Sequence, residues 1–151
     1  MSKVSVKKIS VLFAAAISVS AFAGCTQPAK EVKLFKDASI MDSCMDGVSH
    51  FTNVEYEQIT YTDGTNGLSP YDKRYRGVVY LTEEGAKNLL NEYSWEQISA
   101  PEFEFDKVDD GEISDGPWFR SSQFDMVNYG SLEVNYAVFD GRHIVFDVQD
   151  S

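Results

Sequence analysis

The chain has 151 residues, of which 43% are apolar and 13% aromatic, and its formal net charge is −11. This is the composition of a globular protein, and the length suits one domain with a hydrophobic core of ordinary size. The acidity argues against nucleic acid as a partner, because such binding requires clustered Lys and Arg.

Residues 1–24 have the pattern of a secretory signal peptide. Met1–Lys8 contains three Lys and no acid, and Ile9–Ala23 is an uncharged, mainly apolar stretch of fifteen residues. A charged start followed by an apolar stretch of this length is typical of signal peptides, whereas a membrane-spanning helix needs about 20 apolar residues. We therefore expect these residues to be absent from the mature chain.

The end of this segment, Phe22-Ala23-Gly24-Cys25, resembles the lipobox of bacterial lipoproteins. The resemblance implies cleavage before Cys25, attachment of a diacylglyceryl group to its thiol, and a mature chain anchored on the outer side of the cell membrane. Phe22 departs from the pattern, since the family prefers Leu there. The alternatives are an ordinary signal peptide cleaved after Ala23 or Gly24, and an uncleaved anchor. No motif in the rest of the chain points to a family.

Removing residues 1–24 leaves 10 basic and 24 acidic side chains, a net charge of −14. An anionic membrane surface repels such a protein, so lipid on Cys25 must hold it there, and two or more acyl chains give stable anchoring. Cys44 is then the remaining thiol, and we expect it to be buried. The expected partners are the membrane, through this lipid, and a protein or cell-wall component.

The mature chain is predicted to consist of a lipid-anchored tether (residues 25–37) and a single globular α+β domain (residues 38–151). Apolar residues at helical spacing predict a short helix near 39–46, with Ser39 as its N-cap and Gly47 as its stop. A turn is predicted over residues 63–70.

Strands and one main helix follow. The alternation after Phe51 slips by one residue near Glu57-Gln58, which predicts a β-bulge there. Tyr75–Leu81 is apolar on both faces, as in a central strand. Thr82 can cap a helix over about 82–93, in which Ala86, Leu89, Leu90 and Tyr93 form one apolar stripe.

The last third predicts a β-meander, with strands near 102–108, 117–127, 132–138 and 142–149. The predicted fold is thus α+β: an antiparallel sheet of five or six strands, packed by the helix near 82–93. For the final hairpin, a three-residue loop (139–141) opposes Tyr136 with Ile144 and Val134 with Phe146. This places Leu132, Val134, Tyr136 and Val138 on the core side, and leaves Glu133 opposite Asp147 on an exposed face.

The most prominent chemical feature is an acidic run interrupted by Lys107, consisting of Glu102, Glu104, Asp106, Asp109, Asp110, Glu112 and Asp115. Calcium takes six to eight oxygen ligands, so the composition permits a site, and the candidates are Asp106, Asp109, Asp110 and Glu112. An EF-hand is excluded because Val108 and Pro117 would occupy two ligand positions. We favour a solvated strand and loop, in which Phe103 and Phe105 point inward.

No zinc spacing, phosphate loop, nucleophile elbow or catalytic triad signature is present, so neither an enzyme nor a cofactor is predicted. Trp95, Trp118 and Tyr129 lie near element ends and are candidate exposed binding residues, together with Glu133 and Asp147. The leading hypothesis is a membrane-anchored, non-enzymatic binding or interaction module. The alternatives are a protein inhibitor or immunity-type lipoprotein whose acidic face blocks a basic target, and a small cell-wall hydrolase or metal-dependent enzyme.

Overall fold

The computed structural model describes residues 30–61 and 72–150, which form an antiparallel sheet and three helices. The strands are β1 (Lys30–Phe35), β2 (Phe51–Tyr61), β3 (Lys73–Leu81), β4 (Glu96–Ile98), β5 (Trp118–Arg120), β6 (Glu133–Phe139) and β7 (His143–Asp150). The helices are α1 (Ser39–Cys44), α2 (Glu83–Glu92) and α3 (Ser122–Tyr129). The predicted signal peptide, Cys25 and the turn at residues 63–70 lie outside the described residues.

The sheet has seven strands in the order β1-β2-β3-β7-β6-β5-β4, and every neighbouring pair is antiparallel. The predicted α+β class is therefore confirmed, with more strands and helices than expected. The sheet begins at Lys30, within the segment assigned to the tether. β4 and α3 were not predicted, and the strand predicted near 102–108 is not formed.

All three helices pack on one face of the sheet, which we call the helix face. Ile40, Met41 and Cys44 from α1 share a buried core with Leu89 from α2 and Phe124 from α3. The sheet contributes Val54, Tyr56, Val79, Ile144, Phe146 and Val148 to the same core. No helix within the described residues is long and apolar enough to cross a membrane.

The predicted N-cap is correct for α2 and wrong for α1. The Thr82 hydroxyl accepts a hydrogen bond from the amide of Gly85 (3.1 Å), as predicted for α2. A Cβ atom on Gly85 would lie 2.3 Å from the carbonyl oxygen of His50, so glycine allows α2 to pack closely on the chain before β2. Leu90 is 54% exposed and does not belong to the buried stripe. In α1 the predicted N-cap, Ser39, is the first helical residue, and Ala38 occupies the N-cap position. The helix ends at Cys44, before the predicted stop at Gly47.

The β-bulge predicted near Glu57-Gln58 is wrong, since β2 pairs regularly there and its irregularity lies between Phe51 and Asn53. The prediction assumed that one face of β2 is buried. Both faces are buried instead: Val54 and Tyr56 lie on the helix face, while Glu55, Glu57 and Ile59 lie on the opposite face. β3 is an interior strand buried on both faces, as predicted.

The predicted register of the β6–β7 hairpin is also wrong. Phe139 pairs with Ile144, and the loop is the two-residue Gly141-Arg142. Gly141 has φ +95° at the first central position, the arrangement typical of a type II′ turn. Asp140 Oδ1 stabilises this turn by accepting hydrogen bonds from the amides of Arg142 (2.8 Å) and His143 (2.6 Å).

A register shift between Val134 and Tyr136 changes which side chains of β6 share a face. Leu132 and Val134 pack on the helix face, as predicted, but Tyr136 and Val138 lie on the opposite face. Glu133 pairs with Gln149 rather than with Asp147. The physical reason is again that both faces of this hairpin are buried, so a one-sided pattern does not fix the register.

Candidate functional site: an acidic strap on the sheet

A 19-residue connection between β4 and β5, residues 99–117, covers the sheet face opposite the helices. We call this segment the strap and the face that it covers the strap face. It carries all seven acids of the predicted acidic run. Connections of more than about 12–15 residues without secondary structure are uncommon in compact domains and are usually functional or disordered. The contacts of the strap distinguish these two cases.

Apolar side chains fix the strap to the sheet at alternating positions. Phe103 lies 5.0 Å from the ring of Trp118 and 5.6 Å from that of Tyr136, measured between ring centroids. The second core contains Val78, Val138 and Val145 from the sheet and Val108 from the strap, with Phe103, Phe105 and Ile113 packed against it. The prediction that Phe103 and Phe105 point inward is confirmed.

Glu57 is the central polar anchor of the strap and is fully buried. Its carboxylate accepts hydrogen bonds from the main-chain amides of Asp106 (3.0 Å) and Lys107 (2.8 Å). It also accepts a hydrogen bond from Nε of the buried Arg76 (2.9 Å). A buried carboxylate needs such partners, because its desolvation is otherwise very costly. Glu57 therefore joins two strands to the backbone of the strap.

A second buried carboxylate, Glu55, repeats this arrangement two residues earlier on β2. It accepts a hydrogen bond from the amide of Asp109 (3.2 Å) and forms an ion pair with Lys36 (3.1 Å). At the strap itself, Asp106 pairs with Lys30 and Arg76. The hydrogen bond from Lys30, supported by the nearby Arg76 charge, lowers the pKa of Asp106 below its ordinary value.

Beside this cluster, Asp147 of β7 is buried and held by Arg74 (Nε to Oδ1, 2.7 Å) and Asn135 (3.1 Å). The hydrogen bond that Arg74 donates to Asp147 raises the pKa of Arg74. Burial, and then the charge of Asp147, raises the pKa of Tyr136, whose hydroxyl has no hydrogen-bond partner among the described residues. Glu133 and Asp147 were both predicted to be exposed. The prediction is wrong for Asp147, which is buried, and Glu133 is exposed.

The remaining acids of the strap point to solvent. These exposed residues are Glu102, Glu104, Asp109, Asp110, Glu112 and Asp115. None of them forms an ion pair with a described residue, and Lys107 instead donates to the carbonyl of Val32 (2.8 Å). The strap therefore combines a fixed backbone with an uncompensated negative surface. Among the described residues, no three His, Cys, Asp or Glu side chains converge to hold a metal ion.

A carboxylate and an imidazole meet at the start of β7. His143 Nδ1 lies 2.8 Å from Asp140 Oδ2, and the Ser114 hydroxyl donates to the same oxygen (2.9 Å). Burial alone raises the pKa of Asp140, but hydrogen bonds from the side chain and amide of His143, the amide of Arg142 and the hydroxyl of Ser114 hold it well below its ordinary value. This group ties the strap to the hairpin turn.

The other side chains singled out from the sequence are mostly buried. Trp118 is 2% exposed and Tyr129 is 3% exposed, so both predictions of exposure are wrong. Trp95 is half-buried, with its indole N–H donating to the carbonyl of Leu89 (2.8 Å). Cys44 is buried, and desolvation followed by the charge of Asp150 raises its pKa to about 11. A thiol in this state is a poor nucleophile.

Sequence reasoning missed the anchors Glu55, Glu57 and Arg76. The signal that could have found them was the strict alternation of β2, which places Glu55 and Glu57 on the same face as the apolar Ile59. Comparison with known proteins gave no match to a protein-family model, to a curated protein or to a solved structure. The site is therefore interpreted from its geometry alone.

Proposed function

We propose that this chain is a lipid-anchored, extracytoplasmic, non-enzymatic interaction module that binds a basic partner through the acidic strap. The observation that carries the proposal is the clamping of the strap backbone by Glu55 and Glu57. Because the main chain is fixed before binding, little conformational entropy is lost on association. Complementary charge would also accelerate the encounter with a basic surface.

The anchor would determine how this surface is presented. β1 starts at Lys30, five residues after Cys25, and five residues span at most about 17 Å. The sheet end that holds Lys30, Lys73 and Asp150 would therefore lie nearest the membrane. The opposite end, with Leu81 and the Gly141-Arg142 turn, would face away from it.

The narrower hypothesis of an inhibitor or immunity-type lipoprotein is favoured by the same observation. A fixed acidic segment can occupy the basic cleft of a target without rearranging. At the strap there is also one carboxylate–imidazole pair, formed by Asp140 and His143. Asp140 accepts hydrogen bonds from the hairpin turn and from Ser114. No described hydroxyl or thiol is hydrogen-bonded to the second ring nitrogen of His143. Because the bonds of this pair serve the turn and the strap, we propose binding rather than hydrolysis.

The anchor is tested by detergent phase partition and mass spectrometry of the N-terminal peptide. The expected result is partition into the detergent phase and an acyl-modified Cys25. Cys25→Ala should leave an unprocessed or released chain. A mature N-terminus elsewhere, without lipid mass on Cys25, would overturn the lipoprotein proposal.

The partner surface is tested by capturing proteins from membrane extracts and eluting them with salt. We expect one basic partner to elute, and the triple variant Glu102→Gln, Glu104→Gln, Glu112→Gln to lose it. A matched control neutralises three exposed acids elsewhere: Asp42→Asn, Glu92→Gln and Glu133→Gln. If the control loses the partner as strongly as the strap variant, net charge and not the strap is responsible. Glycan, peptide or nucleotide hydrolysis by the purified chain would favour the enzyme alternative.

A further inference from the structure

A separate cleft lies on the helix side, between α2 and the β6–β7 turn, with a volume of about 530 Å³. Its apolar lining consists of Leu81, Ala86 and Leu90. Leu90 is 54% exposed and is one of few large apolar side chains left open to solvent in the described part of the chain. The cleft therefore offers an unpartnered apolar surface.

Two cations line the same cleft, Lys87 of α2 and Arg142 of the turn. Almost every other Lys and Arg side chain within residues 30–61 and 72–150 has a polar partner. Lys107 donates to a main-chain carbonyl, the others form ion pairs, and the exception is Lys73. Lys87 and Arg142 form no such contact, although acids outnumber bases by 24 to 10 after residue 24. Glu83 also lines the cleft but is not paired with Lys87.

We propose that this cleft binds a segment of a partner protein that carries a carboxylate beside a large apolar side chain. The two free cations provide charge complementarity for the carboxylate, and Leu81, Ala86 and Leu90 provide the apolar contact. A segment of this kind would pair the exposed cations with its carboxylate and would bury the exposed side chain of Leu90 under its apolar side chain. The proposal does not depend on the strap, which lies on the other face of the sheet.

The test uses the full chain in a nonionic detergent and fluorescence anisotropy of three labelled, N-acetylated peptides. The probes contain Glu-Leu-Phe-Glu, Lys-Leu-Phe-Lys or Glu-Ser-Ser-Glu between Gly-Ser flanks. We expect the first peptide to bind at least tenfold more tightly than either of the others. The double variant Lys87→Glu, Arg142→Glu should raise its Kd at least tenfold, and Leu90→Ser should weaken binding as well. The double variant Lys33→Glu, Lys73→Glu, which changes net charge equally, should bind like the wild type.

The proposal is overturned by equal binding of the acidic and basic peptides, by equal loss in the two double variants, or by no binding at millimolar peptide. The other candidate occupant of the cleft is a second copy of this chain. Sedimentation velocity tests this alternative, because it measures whether the chain forms a dimer. A dimer that is disrupted by Lys87→Glu, Arg142→Glu would assign the cleft to self-association and overturn the partner proposal. Circular dichroism of each variant shows that a loss of binding is not a loss of folding.

Discussion

At the scale of single residues, the buried carboxylate of Glu57 explains why a long acidic segment is ordered. We expect Glu57→Ala to lower the free energy of unfolding by about 3–5 kcal/mol, because Arg76 would lose its buried partner and keep only the more exposed Asp106. The amides of Asp106 and Lys107 would also lose their acceptor. Urea denaturation at neutral pH measures the change.

The matched control is Glu104→Ala, which removes an exposed carboxylate from the strap itself. It should leave the denaturation midpoint unchanged, because exposed charges contribute little to stability. Equal midpoints for the two variants would show that Glu57 does not hold the strap to the sheet.

A second residue, Asp140, links stability to pH. Its pKa is held well below the ordinary value by its hydrogen bonds to His143, Arg142 and Ser114. A lowered folded-state pKa stabilises the protein fully above the unfolded value of about 3.9, and this stabilisation is lost as the pH falls through the folded-state pKa. Asp140→Asn should therefore cost about 1–2 kcal/mol at pH 7.

The difference between wild type and Asp140→Asn should then shrink progressively below about pH 4, because the Asp140 carboxylate of the unfolded wild type takes up a proton there while that of the folded protein stays charged. Denaturation at pH 7, 5, 3.5 and 2.5 follows this change, with the exposed Asp115→Asn as control. A difference that stays constant over this range would mean that the charge of Asp140 contributes nothing.

These residues also show what the sequence could and could not predict. The Thr82 cap depends on local chemistry and was predicted from the sequence. The burial of Glu55 and Glu57 depends on amides some fifty positions later in the chain. The hydrophobic pattern assigns charged residues to the surface. It therefore predicted a β-bulge near Glu57-Gln58, where β2 in fact pairs regularly.

At the scale of elements, the final hairpin is a sensitive test of which faces are buried. The predicted one-sided core would make Val145→Ala much less costly than Phe146→Ala. Val145 and Phe146 are both fully buried, however, on the strap face and the helix face respectively. Phe146→Ala should cost about 3–5 kcal/mol. Val145→Ala should cost about 2 kcal/mol, as for other buried aliphatic side chains.

Val127→Ala provides the control for Val145→Ala, since Val127 is 53% exposed on α3. Alanine has the higher helix propensity, so this change should not destabilise the protein. Thermal or urea unfolding of Phe146→Ala, Val145→Ala and Val127→Ala measures whether both faces of the hairpin are buried. A neutral Val145→Ala would indicate that the strap does not cover the sheet in solution.

The same two-sided burial explains the other errors at this scale. A sequence with apolar residues on both faces of β2, β3, β6 and β7 requires cover on both sides. Helical periodicity predicted only α1 and α2, and both of them cover the same face. The strap has no regular hydrophobic periodicity, because its inward residues alternate over only part of its length. These residues are Phe103, Phe105, Val108 and Ile113. Its role emerges only from contacts with Glu55, Glu57 and Trp118.

At the scale of the whole molecule, charge is segregated. Most of the paired cations lie on β1 and β3 or directly after β1. Three of them meet buried carboxylates, namely Lys36, Arg74 and Arg76. Lys30 and Lys33 pair with exposed carboxylates. The outer strap is almost purely acidic, and the cleft with Lys87 and Arg142 lies on the helix side of the sheet. If both proposed surfaces bind, their positions on opposite faces of the sheet would let one molecule contact two partners without competition.

The acidic outer strap leads to a prediction about divalent cations. Its uncompensated carboxylates attract calcium and magnesium alike, but the described residues hold no group of three acidic, His or Cys ligands. Diffuse screening depends on ionic strength and not on the identity of the cation. Millimolar calcium and millimolar magnesium should therefore change the melting temperature by the same small amount.

Specific binding would look different. A ligand at ten times its Kd stabilises the folded state by about 1.4 kcal/mol, which raises the melting temperature of a domain of this size by several degrees. Differential scanning calorimetry in calcium, in magnesium and in sodium chloride of equal ionic strength separates the two cases. The double variant Asp109→Asn, Asp110→Asn removes two of the four candidate ligands. A calcium-specific rise that this variant abolishes would turn the strap from a charged surface into a metal site, because only coordination distinguishes two cations of equal charge.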